Sequence, residues 1–301
     1  MAAEANYNAM RGNNMMNSLE KDFSNGADHL DGNMSSENAL RRIRTAGSIS
    51  ISPELFEKIY LSPQNAVKGD LRKTFGNPTP LALCGFLLSL TPLSCDLMGW
   101  RGAGGNGAAG TGTYFFFGGL LMILGAVGEF IVGNTFPFVV FGSFGAFWLS
   151  YAATLQPFYN AWGAYSTTNN PKDGLTNASF EASFAFFLVT MGVLCFIYMI
   201  LALRTNVVFF LIFFTLVFAF SFLASAYWQM ANGVTSNLPM HLITAGGAFA
   251  FVTCICGWWI FFAIMLAALD FPFQLPVGDL SHIIKGASDK AREKDKEQHS
   301  A

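Results

Sequence analysis

Two long stretches without a charged residue constrain this chain more than any single motif does. Residues 205–269 contain no Asp, Glu, Lys or Arg, and neither do residues 130–171. Only 12% of all residues are charged and 52% are hydrophobic, whereas a soluble domain carries about 25% charged residues. So little charge cannot cover a water-exposed surface. The chain is therefore predicted to be an all-α protein that crosses a membrane several times.

Turn signals divide the apolar sequence into six predicted spans. A helix needs roughly 20 apolar residues to cross the bilayer core, so the longest stretch must contain two helices. The spans are predicted at about residues 79–99, 113–133, 137–156, 180–203, 207–228 and 241–269, within a membrane domain of residues 77–270. Asn134 and Thr135 belong to a tight turn between the second and third spans. Membrane strands are not favoured, because the apolar runs do not alternate with polar residues.

The distribution of Lys and Arg predicts the orientation. Of the 17 Lys and Arg residues, only Arg101 and Lys172 fall in the first, third and fifth loops. Positively charged residues accumulate on the cytoplasmic side of membrane proteins. Both termini are therefore predicted to be cytoplasmic, in a multi-pass membrane protein.

The two ends of the chain differ from the membrane domain. Residues 1–50 are rich in Asn, Ser, Gly and Met and are predicted to be a disordered cytoplasmic tail. Residues 51–76 are predicted to form a cytoplasmic or interfacial segment with a short amphipathic helix on the membrane surface. Residues 271–301 form the predicted C-terminal cytoplasmic tail. Thr45 and Ser48 follow three arginines, which suggests phosphorylation sites or a basic segment that contacts anionic lipid.

Polar residues inside the spans suggest a solute pathway. The spans contain no Lys or Arg, so an anion would be bound by hydroxyls, amides or helix ends, unless the permeant solute is neutral. Pro92 lies in the middle of the first span between Thr91 and nearby serines, and with Ser89 it suggests a helix break that lines a cavity. Glu129 lies one turn inside the second span. It either extends to the membrane surface or is a buried acid that braces the helix end or relays a proton.

Several other functions are not favoured by the sequence. A net charge of −2 without a basic stripe argues against nucleic acid as a partner. Cys254 and Cys256 are two residues apart on one helix and face different directions, so no metal site is predicted. No nucleophile lies in a recognisable arrangement with a base, and we predict neither an enzyme nor a cofactor.

Short motifs resemble those of the acetate uptake transporter family, which includes bacterial succinate–acetate permeases, fungal acetate permeases and yeast ammonia transport outward proteins. Residues 77–83 read NPTPLAL and resemble the family signature NPAPLGL, with Asn77, Pro78, Pro80 and Leu81 at its matching positions. Glu129 followed by GNTF, and the later sequences GAFWL, AGGAF and LPVGDL, also match. The resemblance extends over about residues 75–280 and favours a fungal member.

The resemblance carries expectations about assembly, gate and solute. It implies a homohexamer in which each protomer has its own path, closed by a gate of Phe86, Phe144 and Leu216. Phe144 stands where the family has Tyr. The implied function is transport of short monocarboxylates, chiefly acetate, across the plasma membrane, coupled to protons or down a gradient. Ammonia export is an alternative, and a membrane sensor or scaffold with little transport is a second one.

Overall fold

The computed structural model describes residues 29–30, 50–51, 75–168, 170–280 and 284. This part of the chain contains six helices that are long and apolar enough to cross a membrane, which confirms the predicted six-span, all-α architecture. They are α1 (Thr79–Leu97), α2 (Gly105–Ile131), α3 (Thr135–Leu155), α4 (Ala178–Ala202), α5 (Val207–Ala231) and α6 (Leu238–Ala268).

Short elements lie outside these helices. Strand β1 (His29–Leu30) pairs in parallel with strand β2 (Ser50–Ile51). Single helical turns occupy the loops at Trp100–Gly102, Pro157–Tyr159, Gly163–Tyr165 and Pro171–Thr176. The predicted surface helix in residues 51–76 and the candidate phosphorylation sites Thr45 and Ser48 lie outside the described residues.

Asparagine side chains set the beginnings of two helices. Asn177 accepts a hydrogen bond from the backbone N–H of Ser179 at the start of α4, and Asn206 accepts one from Phe209 at the start of α5. These caps satisfy backbone donors that the first turn of a helix leaves without partners. The predicted turn between α2 and α3 is also present, and Gly133 adopts a φ of 83° there.

Two features of the helices differ from the sequence expectations. Helix α1 passes through Pro92 and continues to Leu97, so the predicted break is absent. Proline lacks the N–H that would bond to the preceding turn, yet membrane helices tolerate this loss. Regular α-helix in α2 begins at Thr111, two residues before the predicted position, because Asn106 and Gly107 adopt positive φ in the preceding 3-10 segment Gly105–Gly110. The helix then widens into a π-helix over Tyr114–Leu121.

The helices pack in an order that places α1 between α6 and α2. Helix α2 packs in turn against α3, while α5 lies between α4 and α6. One apolar core extends through all six helices and contains the predicted gate residues Phe86, Phe144 and Leu216. Helix α1 therefore packs against both halves of the bundle, with α2 on one side and α6 on the other.

The start of the predicted C-terminal tail is paired with the turn between α4 and α5. The backbone N–H of Val207 donates to the carbonyl of Gly278 at 2.8 Å, and that of Leu280 donates to Thr205 at 3.1 Å. The indole N–H of Trp259 donates to the carbonyl of Pro276 at 2.8 Å. This segment therefore ties together the ends of α4, α5 and α6.

Helices α1 and α2 approach each other through small residues. A Cβ atom added to Gly125 would lie 2.6 Å from the Cβ of Ala82, and one added to Gly128 would lie 2.5 Å from the Cβ of Pro78. Small residues permit such close backbone contact between membrane helices. The α1–α2 contact is thus closed to even one additional methyl group.

We expect Gly125→Ala to lower the melting temperature of the purified protein by several degrees. Overpacking a well-packed site costs about 1–3 kcal/mol, which exceeds the roughly 1 kcal/mol that Ala gains over Gly in a helix. Gly142→Ala is the matched control, because its new Cβ would lie 3.8 Å from Ala126, an ordinary contact distance. The control should leave the melting temperature unchanged or raise it. Equal melting temperatures for the two variants would contradict the α1–α2 contact.

Candidate functional site

A buried acidic side chain joins three helices at one membrane face. Glu129 near the end of α2 is completely buried, as are Thr79 at the start of α1 and Asn134 before α3. The Thr79 hydroxyl donates to Oε1 of Glu129, and the Asn134 Nδ2 donates to Oε2 at 2.6 Å. Buried ionisable groups in membrane domains require such partners. Glu129 is therefore a buried acid and does not extend to the membrane surface, and its hydrogen bonds link the ends of α1, α2 and α3. A role in proton relay stays a prediction.

The signature motif positions Thr79 for this contact. Asn77 accepts a hydrogen bond from the backbone N–H of Thr79 at 2.9 Å, while its own side chain is exposed. Pro78 packs toward Gly128, and Leu81 is 42% exposed. Pro80 is half-buried, and Thr135, which follows Asn134, is exposed. Within the described residues, the motif therefore shapes the first turn of α1 and places the Thr79 hydroxyl against Glu129.

The predicted gate residues lie near the middle of the bundle. The rings of Phe86 on α1 and Phe144 on α3 meet edge to face, with centroids 6.1 Å apart and an interplanar angle of 71°. Leu216 on α5 is buried in the same apolar core. The structure therefore brings the two phenylalanines into direct contact and places the leucine in the same cluster of apolar side chains.

Two hydroxyl pairs near the gate were not predicted from the sequence. The Tyr198 hydroxyl on α4 lies 3.0 Å from the Ser143 hydroxyl, and the Tyr198 ring lies 6.5 Å from that of Phe144. Beside Leu216, the hydroxyls of Thr215 and Thr253 are 2.7 Å apart and buried between α5 and α6. The position of Ser143, immediately before a gate residue, was the only sequence signal for the first pair.

The residues around the predicted helix break occupy different environments. Ser89 is completely buried, and its hydroxyl donates to the carbonyl of Thr113 over a long 3.4 Å. Thr91 is half-buried and accepts a hydrogen bond from the indole N–H of Trp258 at 3.2 Å. Pro92 is exposed on the outside of the protomer. Of these three residues, only Ser89 therefore faces the interior of the bundle.

The Glu129 cluster and the Phe86–Phe144 contact lie at different depths in the membrane, as the alternating direction of the spans shows. Helices α1 and α3 run in the same direction, so both begin at the face where Thr79, Asn134 and Glu129 meet. The Phe86–Phe144 contact lies two to three turns further along both helices. A solute crossing this region would therefore meet a polar face and then an apolar constriction.

Comparison with known proteins identifies the family of this chain. The family model described as "GPR1/FUN34/yaaH family" matches residues 61–282. The chain belongs to the GPR1/FUN34/yaaH family. The match includes all six helices and confirms the resemblance drawn from the short motifs.

Individual relatives agree with this assignment. Protein alcS of Aspergillus fumigatus is 46% identical over 237 residues, which cover 78% of this chain and 86% of alcS. Acetate transporter protein patA of Aspergillus clavatus is 33% identical over 208 residues, covering 69% of this chain and 80% of patA. This GPR1/FUN34/yaaH protein is also similar to the solved structure of the bacterial acetate channel SatP. That similarity has a TM-score of 0.53 at 25% identity and covers 68% of this chain and 99% of SatP. The chain is accordingly a multi-pass membrane protein.

We expect Thr79→Val to destabilise the protein by about 1–3 kcal/mol, the cost of leaving a buried polar atom without its hydrogen-bond partner. Valine keeps nearly the same shape but removes the hydroxyl that donates to Glu129. Thr135→Val is the matched control, because Thr135 is exposed at the start of α3. Thermal unfolding in detergent measures both variants, with Thr79→Ser expected to retain most of the stability. Equal stability of the two valine variants would show that the Thr79–Glu129 bond does not brace the helices.

Proposed function

We propose that this chain transports short monocarboxylates, chiefly acetate, across the plasma membrane, with both termini in the cytoplasm. Family membership supports this proposal, as does the similarity to a fungal acetate transporter and to a bacterial acetate channel. Transport fits a six-helix bundle whose interior holds hydroxyls and an apolar constriction. The six α helices contain no Lys or Arg that would hold an anion tightly.

The observation that carries the proposal is the apolar contact between Phe86 and Phe144, with Leu216 in the same core. An apolar constriction raises the energy of a hydrated ion, because the ion must lose water without gaining a partner. The free-energy cost of losing hydration is much smaller for a neutral carboxylic acid. Side-chain carboxyls titrate near pH 4, and acetic acid is a similar acid. The neutral fraction therefore grows as the pH falls, and each acid molecule carries its proton with it.

A homohexamer is part of the proposal. Large apolar side chains such as Phe116, Phe130 and Phe186 are 64–67% exposed on the outside of the protomer. Lipid or neighbouring protomers would cover such surfaces. The path proposed here lies within one protomer, so the hexamer would contain six separate paths.

Uptake of labelled acetate tests the proposal in cells that lack their own acetate transporters. Cells that express the full chain should accumulate label faster than cells with an empty vector, and the difference should grow as the external pH falls toward 5. Methylammonium uptake and ammonia release, measured in the same cells, test the alternative of ammonia export. An effect on ammonia alone would favour that alternative. A well-expressed protein that changes neither flux would favour a sensor or scaffold.

We expect Phe144→Tyr to raise acetate flux several-fold, because a phenol donates to a passing carboxyl group and each 1.4 kcal/mol of barrier corresponds to about a tenfold rate. The flux of a neutral solute of similar size without an acceptor should change little. Phe141→Tyr is the matched control, since Phe141 is a buried phenylalanine on α3 that is not assigned to the gate. If Phe144→Tyr lowered both the acetate flux and the melting temperature, Phe144 would contribute to helix packing and would not belong to the gate.

A further inference from the structure

We propose that the hydroxyl of Tyr114 and the indole N–H of Trp148, beside Ser89, form a binding site for the carboxyl group of a short monocarboxylic acid. The site lies next to the Phe86–Phe144 gate. This inference rests on the proposed function, because it assigns a binding site for the same solute along the same transport path.

Two buried donors that lack partners define the site. Tyr114 on α2 and Trp148 on α3 are 0% and 1% exposed. Among the residues that the structure describes, neither the Tyr114 hydroxyl nor the Trp148 indole N–H has a hydrogen-bond partner. Their rings stack with centroids 5.1 Å apart and an interplanar angle of 20°. Buried polar groups are nearly always paired in proteins, so two unsatisfied donors on adjacent rings require an explanation.

The local backbone brings these groups close together. A Cβ atom added to Gly118 would lie 2.8 Å from both the Ser89 Oγ and the Trp148 Cβ, so the absent side chain lets α1 and α3 meet over α2. A Cβ at Gly110 would lie 2.6 Å from the Tyr114 hydroxyl oxygen. Tyr114 also begins the π-helix of α2. Such widened turns frequently occur at functional sites.

The chemistry of the donors selects the ligand. An indole N–H can only donate, so its partner must be an acceptor. An ammonium ion offers no acceptor and ammonia offers one lone pair, whereas a carboxyl group can accept from both donors. The stacked rings provide an apolar surface for a methyl or short alkyl group. The Asp96 Oδ2 lies 3.5 Å from the position of a Gly107 Cβ, which in turn is 2.5 Å from the Tyr114 hydroxyl. This nearby acid favours a neutral carboxylic acid over its anion.

The site lies one helical turn from the gate. Ser89 follows Phe86 by three residues on α1, and Trp148 follows Phe144 by four on α3, so each pair shares a helix face. Because α1 and α3 run in the same direction, both steps lead toward the membrane face opposite Glu129. A cavity of about 320 Å³ opens between α3 and α4 on that side. Phe187 lines this cavity and stacks on Phe147, which contacts Trp148.

Tyr114→Phe is the decisive variant, because it removes one donor and keeps the ring. The purified full-length protein would be studied in detergent for melting temperature and in proteoliposomes for acetate uptake, both at acidic pH. Without acetate, the variant should melt at the wild-type temperature or higher, since an unsatisfied buried donor has been removed. The rise in melting temperature that acetate causes through binding should shrink. The half-saturating acetate concentration should increase about three- to tenfold, the effect of one lost hydrogen bond.

Two controls separate this site from general effects. Tyr159→Phe removes a hydroxyl from a ring that is 62% exposed in a loop, and it should leave all three quantities unchanged. Trp148→Phe should raise the half-saturating concentration as Tyr114→Phe does, although its smaller ring also lowers the melting temperature.

The outcomes distinguish this site from the proposed function. If the wild type takes up acetate and Tyr114→Phe has the same half-saturating acetate concentration, the proposed site is wrong. Acetate transport by the protein would still be supported. A lower melting temperature of Tyr114→Phe without acetate would also overturn it, because the hydroxyl would then have a structural partner. If the wild-type protein showed neither acetate uptake nor a rise in melting temperature with acetate, the proposed function would be overturned together with the site.

Discussion

The close contact of α1 with α2 and α3 is the constraint on which the rest of the structure depends. Gly125 and Gly128 allow α1 to lie directly on α2, and Gly118 allows Trp148 of α3 to reach the same helix. As a result one helix contributes Thr79 to the buried acid cluster and Phe86 to the proposed gate. A wider separation of these helices would part the gate rings and remove the hydroxyl donor from Glu129.

The electrostatics of the bundle follow from this packing. The buried Glu129 is held by a hydroxyl and an amide, and the centre of the bundle is filled by aromatic rings. Such an interior penalises any ion that sheds its water, whichever its sign. It penalises a neutral weak acid far less, provided that donors along the path replace part of the lost hydration. Buried hydroxyl and indole groups beside the gate are suited to that role.

The sequence predicted the six spans well because removal of charge from water is so costly that charge-free runs mark the membrane segments directly. It predicted the gate through family resemblance, and the structure brings Phe86 and Phe144 together. The prediction of a helix break at Pro92 was wrong, because α1 tolerates one missing backbone hydrogen bond and continues to Leu97. The Tyr198–Ser143 pair and the stacked Tyr114–Trp148 donors depend on tertiary contacts between distant spans. No local pattern signals such contacts, and none signals the π-helix of α2.

The function proposed for this bundle is the passage of a weak acid through an apolar gate. The most direct test is flux through the purified protein in sealed proteoliposomes, with labelled acetate and ammonia compared at several external pH values. Acetate flux should be saturable and should rise as the pH falls, while ammonia flux should stay close to that of protein-free vesicles. Ammonia flux through the protein without acetate flux would contradict the proposed transport of a weak acid.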